Sequence, residues 1–224
     1  MVLLHGPQSA TSHHIANLLR EEILAGKYPP GTRINQESVA QKYSSSRSPV
    51  RDAFRILESE GLLLLIAHTG AWISELNLVE CEEMYQIRER IEPLMLRLSI
   101  PHLTSGQLAQ LSSLVQKLDS VVSVEDFLKL DMEFHLLTYA GASTAFLGNM
   151  VSRMWNTTQH YRRAYTTLLE KENFQSARYE HHLLMSAIEG GDMEGAERVL
   201  YGHIRRTRIE LGNHLEVFEK ITNK

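Results

Sequence analysis

Apolar residues in the first sixty positions recur at intervals of three and four, and turn chemistry interrupts them. Ile15, Leu18, Leu19 and Ile23 predict a helix over about 12–25, with Ser12 as its cap and Gly26 and the Pro29-Pro30-Gly31 turn as its stop. A short helix carrying Val39, Ala40 and Tyr43 follows an Asn35 cap, and the serines at 44–46 break it. The third helix is expected to open with Ser48 as cap and Pro49 at its first position, where a missing N–H costs nothing, and to end at Gly61. The period then falls from 3.6 to 2. The runs "LLLLI" and "AWIS" flank the turn Ala67-His68-Thr69-Gly70 and predict a β-hairpin. Three helices followed by a hairpin outline a winged helix-turn-helix.

Strand signals vanish after Leu78. Helical periodicity covers about 79–100, with Pro93 as a candidate kink, then 105–119, 124–140, 144–168, 174–189 and 193–217. Thr104, Ser123, Ser143 and Asp192 stand where N-caps are needed. The expectation is a mainly α protein, with a winged helix-turn-helix over 1–76 and an all-α helical bundle over 77–224.

Composition narrows the class without naming it. The 224 residues are 43% hydrophobic, enough for a substantial core. No run reaches the length of a membrane span, and "MVLL" is too short for a signal peptide, so a cytoplasmic protein without a membrane partner is expected. The single cysteine, Cys81, excludes an intrachain disulfide and fits a reducing compartment. The formal net charge of −4 disfavours a global attraction to nucleic acid. Residues 1–76 carry seven basic and seven acidic side chains, so any grip on phosphates there has to come from a local patch.

The third helix supplies such a patch. Val50, Ala53, Phe54 and Leu57 share one face, which leaves Arg51 and Arg55 pointing away, with Arg47 beside them at the turn. In a helix-turn-helix the start of the second helix enters the major groove, where Arg pairs with guanine or grips phosphate. Ser46 and Ser48 at the helix N-terminus suit phosphate oxygens. A solvated surface with pairs to Asp52, Glu58 and Glu60 is the alternative for an isolated helix.

The stretch "PPGTRINQESVAQKYSSSRSPVRDAFRILESEGLL" resembles the winged-helix domain of the GntR family of bacterial transcription regulators. Pro30-Gly31, Ala40, Ser46-Arg47, Pro49-Val50-Arg51, Ala53, Leu57 and Gly61-Leu62 carry the likeness, and Ser48 keeps the hydroxyl of a commoner Thr. The resemblance implies DNA contacts by Arg47 and Arg51, with Ser46, Ser48, Arg33 and the wing glycine Gly70 as further candidates. Thr69 precedes Gly70 where the family usually has Arg or Asn, and Ser45 stands where an apolar residue is usual.

Histidines carry the chemistry of the second half. Asp131 and His135 stand at i and i+4 in "LDMEFHLL", so they share a helix face. His181 joins an apolar stripe with Leu184, Met185 and Ile188, and His203 joins another with Ala196, Val199 and Leu200. Three imidazoles and a carboxylate on core-facing stripes could meet at one ion, or each histidine could be an ordinary hydrogen-bonded core residue.

Residues from about 78 to 217 resemble the helical effector domain of the FadR-type, FCD subgroup of the same family. Asp131, His135, Glu180-His181 and His203-Ile204 occupy its D-x-x-x-H, E-H and H-(I/L) positions; His182 lies outside the motif. The resemblance implies a divalent metal held by Asp131, His135, His181 and His203. Zn²⁺ or Ni²⁺ leads, and Mn²⁺, Fe²⁺ and Co²⁺ suit the same donors. An octahedral ion would keep two positions for a small carboxylate metabolite. Arg88 matches R-x-x-(L/I)-E on the first effector helix. It is a candidate for the ligand carboxylate, and a surface pair with Glu92 at i+4 is its alternative.

The implied protein is no enzyme but a homodimeric regulator, most often a repressor, that binds a pseudo-palindromic operator in double-stranded DNA. A regulator with a purely structural metal is an alternative. A metal-dependent hydrolase is the rival from another class, but no H-E-x-x-H or similar motif supplies its general base.

Overall fold

A computed structural model describes residues 7–168 and 174–218. The chain divides into two compact units, one containing Met1–Asn77 with Arg153–His160, the other Leu78–Ser152 with Tyr161–Phe218.

The first unit opens with α1 (Pro7–Leu24), β1 (Arg33–Ile34), α2 (Gln36–Lys42) and α3 (Arg47–Ser59), and closes with strands β2 (Leu63–Ile66) and β3 (Gly70–Ile73). Its core is the one the periodicity predicts. Ile15, Leu19 and Ile23 of α1 pack with Val50, Ala53, Phe54 and Leu57 of α3, over Val39 and Ala40 of α2. Asn35 caps α2 as expected, its Oδ1 accepting from the amides of Glu37 (2.8 Å) and Ser38 (3.1 Å).

Three expectations are corrected. α1 begins at Pro7, so Ser12 is an interior, buried residue and no cap. Ser46, not Ser48, is the N-cap of α3, which moves Pro49 to the third helical position, still within the turn whose amides lack partners. A third strand joins the hairpin: β1 pairs antiparallel with β3, Arg33 opposite Trp72 and Ile34 opposite Ala71, giving the order β1-β3-β2. The bonds Gly31 N to Ile73 O (3.1 Å) and Ile73 N to Thr32 O (2.8 Å) extend this pairing into the preceding turn. Gly31 takes φ +70° there, a conformation natural to glycine.

The second unit is helical throughout its described residues. Its elements are α4 (Leu78–Ser99), a 3₁₀ turn (Ile100–His102), α5 (Ser105–Ser120), α6 (Val124–Thr138), α7 (Ala145–Leu168, of which Arg153–His160 belongs to the first unit), α8 (Phe174–Glu189) and α9 (Met193–Asn213). Thr104 forms a full capping box with Gln107, and Ser123 and Asp192 accept from the amides of Asp126 and Gly195. Ser143 does not cap α7. The adjacent Thr144 hydroxyl accepts from the Leu147 amide at 3.3 Å instead. α9 lies along α4 and against α8, while α5 packs on α6 and α8. Pro93 is accommodated inside a helix that runs unbroken through it. The α6–α7 connection comes close enough to Ser99 that a Cβ on Gly141 would stand 2.3 Å from the Ser99 carbonyl oxygen. Only glycine fits there.

Candidate metal centre and nucleic-acid interface

Three helices bring the predicted quartet together. Asp131 and His135 lie one turn apart on α6, His181 on α8 and His203 on α9, each with one donor atom within 4.8 Å of the others. His181 Nε2 is 3.3 Å from His135 Nε2 and 3.1 Å from Asp131 Oδ1, and His135 Nε2 is 3.8 Å from that same oxygen. All four side chains are buried, and Phe134 packs its ring against His135 and His181.

The electrostatics prepare these groups as ligands. Burial would raise the Asp131 carboxyl, but Arg162 and the facing imidazoles hold it well below the usual carboxylate range. Arg162 Nη2 donates to Asp131 Oδ2 at 2.5 Å, leaving Oδ1 to face the histidines. Burial pushes His135 and His203 down, and so favours the neutral imidazole that a metal requires. The Nδ1 of His203 bonds Glu180 Oε2 at 2.6 Å; this assigns the proton to Nδ1 and turns the Nε2 lone pair toward the cluster. Although burial opposes the charge of Glu180, bonds from Arg206 and His203 bring its pKa down to about 2. His181 Nδ1 is buried with no hydrogen-bond partner among the described residues. Three imidazoles, one oriented carboxylate and a carboxylate behind a ligand histidine form a donor set that fits a divalent transition ion.

Phe127, Asp131, Arg162, Tyr165, His203 and Arg206 line a partly open pocket beside the quartet. Arg88 takes another place. It is 2% exposed, its Nε donates to Glu92 Oε1 at 2.5 Å, and its guanidinium lies over the Tyr85 ring, 4.7 Å from the centroid. Tyr139 donates to the second Glu92 oxygen at 2.8 Å. The i, i+4 pair forms, but inside the unit and not on its surface as expected. Arg162 and Arg206 are the guanidinium groups beside the quartet. No motif in "HYRRAY" marks Arg162, while Glu180 was legible only as part of the E-H pair. Changing Glu180 to Gln is expected to weaken divalent-ion affinity about 10- to 100-fold, as loss of a carboxylate behind a ligand imidazole does. Titration with a fluorescent metal indicator measures it, and unchanged affinity would show that His203 needs no such orientation.

The predicted DNA contacts gather on the first unit. A groove runs between Arg33 and Gln36, the start of α3 at Arg47 and Arg51, and the wing at His68 and Gly70. Arg51 is exposed and makes no ion pair among the described residues, whereas Arg47 is paired with Glu37. Gln36 Nε2 donates to the Arg47 carbonyl at 2.6 Å and fixes the turn. The exposed Ser46 makes no side-chain bond at the N-terminus of α3, and Ser48 is exposed within the first turn. Gly70 has φ +117°, and a Cβ there would meet Arg33 Nε at 3.3 Å, so this glycine lets the Arg33 side chain lie across the wing. Arg55 faces Asp52 at 3.9 Å, outside that groove. Periodicity did not point to Gln36 or His68. Gln36 opens a short helix and His68 lies in the wing turn, where apolar spacing carries no information.

Comparisons with known proteins match both regions of the chain. The pattern of the bacterial regulatory proteins, gntR family, matches residues 11–73, and that of the FCD domain matches residues 83–206. An uncharacterized HTH-type transcriptional regulator, YdhC of Bacillus subtilis (strain 168), is 26% identical over 204 residues, covering 89% of this chain and 90% of its own. The HTH-type transcriptional repressor RspR of Escherichia coli (strain K12) is 23% identical over 202 residues, covering 89% and 88%. The solved structure of E. coli McbR/YncC superposes with a TM-score of 0.81 at 22% identity, covering 91% of this chain and 98% of that one, and so shares the fold. With a winged helix at one end and an FCD domain spanning more than half its length, the chain belongs to the GntR family of DNA-binding transcriptional regulators.

Proposed function

We propose that this regulator acts as a homodimeric repressor whose grip on a pseudo-palindromic operator is set by a small carboxylate metabolite, bound beside a divalent ion held by Asp131, His135, His181 and His203. The convergence of these four donors next to a cationic pocket carries the reading. When bound, the ion supplies a Lewis-acidic positive charge for a carboxylate. The chain supplies the rest. Arg162 fixes Asp131, Glu180 fixes the His203 tautomer, and the Arg162 and Arg206 guanidinium groups border the space that an anion would fill. On the first unit, Arg51, Arg47 and Arg33 reach base edges or phosphates while the Ser46 and Ser48 hydroxyls meet phosphate at the start of α3. An effector that prefers the DNA-incompetent arrangement lowers operator affinity in proportion to that preference, with couplings of about 1–3 kcal/mol typical.

The test is to capture fragments of the source genome on the purified protein at physiological salt, and then to titrate small carboxylates with and without divalent metal. Retention of a short pseudo-palindrome that is released by one carboxylate only when metal is present supports the reading. No enriched sequence overturns it. The deep burial of the donors also supports a second reading, in which the ion is purely structural. Chelation would then lower thermal stability and leave the carboxylate response unchanged.

A further inference from the structure

α4 has apolar residues on two opposite sides. Cys81, Tyr85, Met95 and Leu96 are buried within the second unit, and one such stripe is all that an amphipathic helix needs for its own core. Yet Val79 (62% exposed), Ile87 (48%), Leu94 (45%) and Leu98 (45%) point the other way. At about 100° per residue these four fall within an arc of roughly 100°, together with Glu83 and Arg90. The middle of the arc is a shallow depression lined by Glu83, Gln86, Ile87, Arg90 and Ile91. A row of exposed apolar side chains around a notch is a surface that another protein could cover.

The charges on this face identify the partner. Glu83 and Arg90 are seven residues apart, two turns or about 10.5 Å along the axis. A two-fold rotation midway between them sets a second α4 antiparallel to the first and brings each Glu83 opposite Arg90 of the other copy. The same operation brings Val79 opposite Leu94 and seats the two Ile87 side chains beside the axis, near the two Gln86. A parallel arrangement would put like charges together. The pattern is therefore self-complementary under two-fold symmetry, as an isologous dimer requires. The Arg90 side chain is 68% exposed; its Nη1 lies 3.7 Å from Glu89 Oε2 and its guanidinium over the Tyr201 ring at 5.3 Å, which holds it at the rim of the notch with donors left for a second carboxylate.

We propose that this outward face of α4 is where two copies of the chain pair, antiparallel, about an axis between Gln86 and Ile87. The proposal rests on the homodimer reading above and adds the surface and its register. Sedimentation velocity of the full chain over a concentration series tests it, with far-UV circular dichroism to verify that each variant is folded. Glu83→Arg and Arg90→Glu are expected each to raise the dimer dissociation constant about tenfold or more, since each dimer carries the contact twice. The combined charge swap should bring it back to within about threefold of the wild type. Single variants that dimerise like the wild type would place the dimer contact elsewhere, while weak singles without rescue in the double would reject the antiparallel register. A wild type that stays monomeric throughout would overturn the homodimer reading itself, and the proposal with it. Loss of operator binding in a still-dimeric variant would also count against it, because these residues lie far along the chain from the arginine helix.

Discussion

Replacing His181 by alanine is expected to lower divalent-ion affinity more than about 100-fold, beyond the usual cost of losing a residue that merely orients a ligand. His181 Nε2 is central to the quartet, 3.3 Å from His135 Nε2 and 3.1 Å from Asp131 Oδ1. The substitution should also abolish the thermal stabilisation that an ion gives. An ion at 1,000 times its dissociation constant contributes about 4 kcal/mol, which raises Tm by roughly 8–16 °C in a chain of this size. Metal content after dialysis and melting curves with and without added Zn²⁺ or Ni²⁺ measure both effects. His182→Ala is the control: that neighbouring histidine is exposed and faces Asp119 at 3.0 Å, away from the quartet. A His181→Ala protein that retains stoichiometric metal and its rise in Tm would remove His181 from the centre.

Arg51→Ala is expected to reduce specific operator affinity by about 1–3 kcal/mol per half-site, or about 2–6 kcal/mol for a dimer on two half-sites. The side chain stands exposed at the start of α3 with no ion pair to give up among the described residues. Arg47 must first leave Glu37, so Arg47→Ala should cost less. Fluorescence anisotropy with an enriched operator duplex and a scrambled one separates the modes. A base reader loses specific affinity and keeps most of its non-specific binding. A phosphate contact weakens both and makes the salt dependence shallower. Unchanged specific affinity would eliminate Arg51 as a contact, and metal content should stay at the wild-type level throughout.

Elements with strong periodicity were legible from the residues alone. The apolar stripes of α1, α3, α8 and α9 bury most of the residues that their spacing selects, with Leu18 and Val199 only half-buried, because residues three and four apart share one helix face. Helix starts were less so. "SSSRS" offers several hydroxyls in a row, and backbone geometry chose Ser46 over Ser48. The two residues of β1 are too few to show a period, and the strand exists because β3 offers an edge to pair with. Among the histidines, spacing could place each on a core-facing stripe but could not make three helices converge. Likeness to the FCD subgroup supplied that step, and the packing of α6, α8 and α9 brings the four donors together. Arg162 shows the remaining limit. Its role depends on what lies 31 residues away, and nothing local distinguishes it from Arg163 beside it.

The bond between Arg162 and Asp131 has one more consequence. Burial favours neutral imidazoles at His135 and His203, and the Arg162 guanidinium offsets the charge of the Asp131 carboxylate. Small zinc domains assemble their ligands only by folding around the metal. Here the four donors form a cage on three packed helices, and Arg162 holds Asp131 in it. A divalent ion would keep its full double charge in that cage, a strong demand for an anion in a water-poor site. On the function proposed above, such a site would act as a logical AND: neither metal nor carboxylate would suffice alone, and the transcriptional response would report that both are present at once.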